Sequence, residues 1–146
     1  MLSAVQILGP VLIVLFSLWE QLLHGKNLSR EEFMRLHHLR PTLDFNQYKC
    51  DVLMREIGGL KDKDSHMFIY TPWHQIYKIC YKTWAKRHRN TYVWAQQPFK
   101  VLKCKRKTLK YSYREKRSYS LIEFHCSRNG YVDDIEDMRV IAFINT

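Results

Sequence analysis

Four cysteines, Cys50, Cys80, Cys104 and Cys126, punctuate a chain of 146 residues at intervals of 30, 24 and 22. Whether they are oxidised decides what a chain of this size can fold into. There is no Cys-x-x-Cys pair, and no histidine stands at zinc-finger spacing from a cysteine, although His125 adjoins Cys126. A metal site is therefore not expected. The N-terminal segment supplies the redox context. Residues 1–19 (MLSAVQILGPVLIVLFSLW) carry no charge, are almost purely aliphatic from Val11 to Leu18, and give way to Glu20 and Gln21. That is the apolar centre of a secretory signal peptide. Nineteen uncharged residues would also just span a bilayer as an anchor, but Gly9-Pro10 interrupts them and no cation cluster follows. A signal peptide over 1–25 is expected, cleaved between Trp19 and Lys26, followed by one domain over 26–146.

In an oxidising compartment the four cysteines read as two disulfides, with all three connectivities open. Asn27-Leu28-Ser29 is a glycosylation sequon consistent with that route. Apolar residues make up 46% of the chain and aromatics 14%, which suffices for one core and excludes a disordered polyelectrolyte. Five Gly, four Pro and the absence of any repeat period exclude collagen-like, low-complexity and solenoid folds.

Ser29-Arg30-Glu31-Glu32 forms a capping box, which predicts a helix running to about Leu39 and stopped by Pro41. Phe33, Leu36, His37 and Arg40 fall on one face, placing His37 with Phe33 towards the protein body. Asp44 and Gln47 start a second helix with Phe45, Tyr48, Val52 and Leu53 as its apolar stripe, ended by Gly58-Gly59. Met67–Tyr70 suits a buried strand, and Thr71-Pro72 opens a third helix carrying Trp73, Ile76, Tyr77 and Cys80 on one side. From Thr91 the pattern turns to strands: Tyr92–Trp94, Phe99–Cys104, Leu109–Tyr113 and Tyr119–Cys126. Asn129-Gly130 then marks a turn into the region Tyr131–Ile144. Three short helices followed by antiparallel strands make an α+β domain.

This order of residues resembles the pancreatic ribonuclease (ribonuclease A) superfamily over about residues 29–140. The matching marks are Phe33-x-x-x-His37 on the first helix, Cys50 on the second, Lys63 five residues before Phe68, Cys80 on the third, and Cys104 and Cys126 on strands. Within it, Tyr48-Lys-Cys-Asp-Val-Leu-Met-Arg-Glu56, His66-Met-Phe-Ile-Tyr70, Ile122-Glu-Phe-His-Cys126 and Gly130-Tyr-Val-Asp133 are similar to the epididymal secretory protein family. The resemblance implies a ribonuclease A-like fold with a curved antiparallel sheet and the bridges Cys50–Cys104 and Cys80–Cys126. Ribonucleases usually carry two further bridges, whose positions fall here on Asp62 and Thr91.

RNA transphosphorylation requires one imidazole as base, a second as acid, and a cation for the extra charge of the phosphorane-like transition state. The resemblance assigns the base to His37 and the cation to Lys63. The acid's position, nine residues after Cys126, holds Ile135, which cannot donate a proton. Leu36 replaces a phosphate-facing amide, and Met67 replaces a base-reading threonine. Asp133, Asp134, Glu136 and Asp137 surround Ile135 with charge that opposes a phosphate. His125 shares a strand face with Glu123 and Ser127 and reads as a partly exposed strand histidine; the alternative, since that face looks into the cleft in the ribonuclease fold, is a misplaced second imidazole.

Bases outnumber acids 24 to 14, a formal charge of +10. They gather with interleaved aromatics in Lys82…Lys86-Arg87-His88-Arg89 and in Lys103-x-Lys105-Arg106-Lys107…Lys110…Arg114…Lys116-Arg117. Lys86, Arg87, Arg89, Lys105, Arg106 and Lys107 are the candidate polyanion contacts. The expectation is a secreted, monomeric, non-catalytic ribonuclease-fold protein without cofactor. By resemblance it belongs in the epididymal lumen and acts in sperm maturation by binding the sperm surface or another anionic glycoconjugate, with RNA a weak ligand. The alternative is a weak ribonuclease or a basic antimicrobial protein.

Overall fold

The computed structural model describes residues 30–82, 91–108 and 112–144. The segment expected to be a signal peptide, the sequon at Asn27, the cap at Ser29 and the cations Lys86, Arg87 and Arg89 lie outside the described residues. A first helix, α1, covers 30–37. It is shorter than its periodicity suggests, because His38–Leu39 leave the helix to form strand β1. This strand pairs in parallel with Ile69 and Tyr70, so the sheet is mixed. Pro41, which has no backbone N–H, follows after Arg40.

The second predicted helix divides in two. Phe45–Gln47 is a single 3-10 turn, closed by the Gln47 side chain accepting the Asp44 N–H at 3.1 Å. Helix α2 then runs Cys50–Glu56. Its first free N–H, on Cys50, donates to the Glu115 carboxylate at 2.6 Å, a long-range N-terminal cap. The break turns Val52 outward rather than onto an apolar stripe. Strand β2 is Ser65–Tyr70, helix α3 Trp73–Lys82, β3 Tyr92–Trp94 and β4 Phe99–Arg106. The strand expected at Tyr119–Cys126 begins earlier, as the 14-residue β5, Tyr113–Cys126, and β6 follows over Val132–Phe143; most of the strand expected at Leu109–Tyr113 lies outside the described residues. Gly130, at φ 83°, turns the chain between them, with its N–H donated to Ser127 O. The order across the sheet is β1-β2-β4-β5-β3, with β6 on the other edge of β5.

Each disulfide lies inside one of two core clusters. Cys50–Cys104 sits among Leu39, Phe45, Met54, Leu60, Phe68 and Leu102, and ties α2 to β4. Cys80–Cys126 sits among Phe33, Ile76, Val101, Ile122 and Phe124, and ties α3 to β5. The pairing implied by the family resemblance is the pairing observed. At the two positions where ribonucleases usually carry further half-cystines, Asp62 is exposed and Thr91 instead accepts the Cys126 N–H at 2.7 Å.

Arg117, one of a run of cations in the sequence, is buried. Its guanidinium donates to Tyr48 O at 2.6 Å, pairs with Glu115 at 3.4 Å, and lies over the Phe45 ring at 5.6 Å. Glu115 is also the cap of α2, so Arg117→Ala strands a half-buried carboxylate and frees a carbonyl. A loss of about 3 kcal/mol is expected, at the lower end for breaking a buried pair, and the shift in urea midpoint reads it.

Candidate active-site cleft

His37 is the last residue of α1, and its ring lies 4.9 Å from that of Phe33, on the inward face that the spacing predicts. Its Nδ1–H donates to Met67 O on β2 at 2.9 Å. A carbonyl only accepts, so this bond fixes the neutral tautomer and leaves Nε2 as the basic lone pair. Burial holds His37 below the ordinary imidazole range and the Lys63 charge adds to the lowering. The Met67 carbonyl and the Asp134 carboxylate oppose it. Lys63 itself is exposed, and its carbonyl accepts from Tyr113 Oη at 3.2 Å. The structure thus brings the expected base and cation within electrostatic reach of each other.

The second imidazole beside His37 is His66, a residue that sequence reasoning left without a role. The two rings stack at 4.5 Å with an interplanar angle of 18°. His66 is 6% exposed, donates Nε2–H to Leu36 O at 2.6 Å, and meets Phe68 edge-on. Burial, His37 and Lys63 push it down to about 4 against the pull of the Leu36 carbonyl. Its signal in the sequence was its place three residues after Lys63 and one before Met67. The contact itself is tertiary, because α1 meets β2 across a separation of 30 residues.

His125 is a partly exposed strand residue, as the first reading of it expects. On β5, Ile122, Phe124 and Cys126 point into the cluster that holds Phe33, and His125 alternates to the opposite side. There it hydrogen-bonds Asp133 and meets Tyr92 edge-on at 5.1 Å. Ile135 pairs with Phe124 across the strands and packs against the same cluster. Asp134, its neighbour, is the charge from this strand that acts on His37. Bulges between Glu123 and Phe124 and between His125 and Cys126 give β6 its local register. The arrangement holds a base with a fixed tautomer, a cation and a second neutral imidazole, together with the Asp134 carboxylate close enough for its charge to act on His37.

Of the candidate polyanion contacts, Lys105 and Lys107 are exposed. Arg106 turns to the other face of β4 and pairs with Asp64 at 2.6 Å.

Residues 28–136 match the family model described as pancreatic ribonuclease. Among curated relatives, the human epididymal secretory protein E3-beta is 51% identical over 97% of both chains, and the human E3-alpha is 46% identical over 99% of both. Among solved structures, amphinase, a cytotoxic ribonuclease from Rana pipiens oocytes, superposes with a TM-score of 0.61 at 19% identity, covering 77% of this chain and 98% of its own. Green turtle egg white ribonuclease gives 0.60 at 18% identity, with the same coverage. At these identities the two structures establish the fold. With the cysteine pairing, the stapled helices and the position of His37 already in place, the chain belongs to the pancreatic ribonuclease family and, within it, to the epididymal secretory proteins of the E3 group.

Proposed function

We propose that the protein is secreted into the epididymal lumen after removal of residues 1–25, has no ribonuclease activity, and acts in sperm maturation by binding an anionic surface. The single observation that carries this reading is the surroundings of His37. Its near neighbours are a neutral, buried His66 and the Asp134 carboxylate, while Ile135, counted as the acid's position, packs against the core. A general acid contributes about 10²–10⁴-fold to such a reaction, and neither Ile135 nor a deeply buried imidazole serves that role at neutral pH. Secretion is supported by the names of both relatives and by the uncharged N-terminal segment. The excess of bases supports the anionic partner.

The test adds fluorescently labelled mature protein to epididymal sperm. Retention that 0.5 M salt releases is expected. Absence of retention, or retention indifferent to salt, would overturn the anionic-surface reading. Leakage of dye from anionic vesicles at the same concentration would favour the antimicrobial alternative instead.

A further inference from the structure

Strands β4 and β5 pair without a bulge from Phe99–Ser120 to Arg106–Tyr113. Within that regular stretch Lys103 stands directly opposite Lys116, and Lys105 directly opposite Arg114. Residues paired across strands share a face, and residues two apart along a strand share it too. The four cations therefore form a grid on one side of the sheet. Its spacing is about 5 Å across the strands and about 7 Å along them. All four are exposed.

Like charges placed directly opposite weaken a sheet, so such a grid is ordinarily relieved by carboxylates. Here the acids nearest in sequence are committed to the other face: Asp64 to Arg106, and Glu115 to the Cys50 N–H and Arg117. Among the described residues, none of the four cations has a carboxylate within salt-bridge reach. On β2 the residues facing the grid are Ser65 and Met67, opposite Lys105 and Lys103.

We infer that Lys103, Lys105, Arg114 and Lys116 form a docking site for a linear sulfated glycan of the glycosaminoglycan type. The inference deepens, and rests on, the proposal that the protein acts by binding an anionic surface. Three features favour a sulfated chain over single-stranded RNA. Three of the cations are lysines, compact point charges without the planar fork that arginine offers a phosphate. The ring beside them, Phe143, already carries the Lys116 ammonium on its face at 5.9 Å, which occupies the surface on which a base would stack. Tyr70 and Tyr119 lie on the opposite side with Lys100, at 5.8 and 6.0 Å from its ammonium. The repeat of the grid suits closely spaced anionic groups along one extended polymer.

The experiment uses the mature, disulfide-intact chain and a heparin decasaccharide, with the dissociation constant measured from 0.05 to 0.5 M NaCl. Replacing the four grid residues together by Gln should lower the slope of log Kd against log salt by about 3, from roughly 0.7–0.9 per cation lost, and weaken binding at 0.15 M by on the order of 100-fold. A control removing four exposed cations elsewhere (Lys49, Arg55, Lys61 and Arg128 to Gln) should change the slope by less than 1. The pairs Lys103→Gln/Lys116→Gln and Lys105→Gln/Arg114→Gln, each checked by circular dichroism, keep the test open should the fourfold variant not fold. Equal losses in grid and control variants would overturn the site. Poly(U) or anionic vesicles bound more tightly than heparin would overturn the ligand class. Ribonuclease turnover, by contrast, would defeat the non-catalytic reading and leave the glycan result standing.

Discussion

Lowering the pH from 7.5 to 5 is expected to destabilise the folded protein by about 2 kcal/mol through His66 alone, rising to about 3 at pH 4. In the folded chain His66 takes a proton only at about 4, against a reference of 6.5. Between those values the unfolded chain binds a proton that the folded chain refuses. The stability is complete above 6.5 and is lost as the pH falls through the window. His37 and His38 are lowered in the same direction by burial and add to the loss. Glu32, whose partner Arg35 holds it below the ordinary range, contributes only below about 4.5. The groups that face His66 are His37 from α1 and Lys63 from the loop before β2, and both disfavour its protonated form. Urea unfolding of the wild type and of His66→Phe at the two pH values checks the claim. The variant keeps the ring stacked on His37 but has nothing to protonate, so most of the pH dependence should disappear. An unchanged pH dependence would mean that His66 is not the acid-sensitive group.

Loss of either disulfide is expected to cost about 4 kcal/mol by loop closure. The bridges close separations of 54 and 46 residues. A domain of this size has roughly 5–15 kcal/mol in hand, and ribonucleases usually spread the same restraint over four bridges. Here each core cluster has one. Without Cys50–Cys104 the short helix α2 keeps the Glu115 cap and Met54 as its anchors. Without Cys80–Cys126, α3 keeps Ile76. Urea midpoints of Cys50→Ala/Cys104→Ala and Cys80→Ala/Cys126→Ala should each fall by an amount equivalent to that figure. The variant lacking all four cysteines should be unfolded at room temperature. A cost below about 1 kcal/mol for either pair would show that the helices are held by packing alone.

Much of the fold was legible in the residues, and the reasons are local or combinatorial. Asn129-Gly130 announced its turn through backbone chemistry. Thr71-Pro72 announced the start of α3, and the family pattern carried both disulfides and placed His37. What could not be read was decided by contacts between distant segments. His38–Leu39 look helical until β2 offers them a partner. Arg117 looks like one more surface cation until Tyr48 and Glu115 enclose it. Arg106 is drawn off the basic face by Asp64, 42 residues away. In the cleft, strand alternation separates His125 from Phe124 but does not say which of the two sides meets α1, so the sequence leaves open whether a second imidazole stands beside His37. His66 carried no spacing motif at all. Its role follows from where α1 lies on the sheet.

The most direct test of the central claim, that this cleft lacks the groups for transphosphorylation, is the rate of uridylyl(3′→5′)adenosine cleavage by contaminant-free recombinant protein, measured beside His37→Ala from the same preparation. The account predicts that the two are indistinguishable and at background. Turnover that vanishes with His37 would contradict it, because a proton donor and a phosphate site would then have to exist despite Ile135 and Asp134.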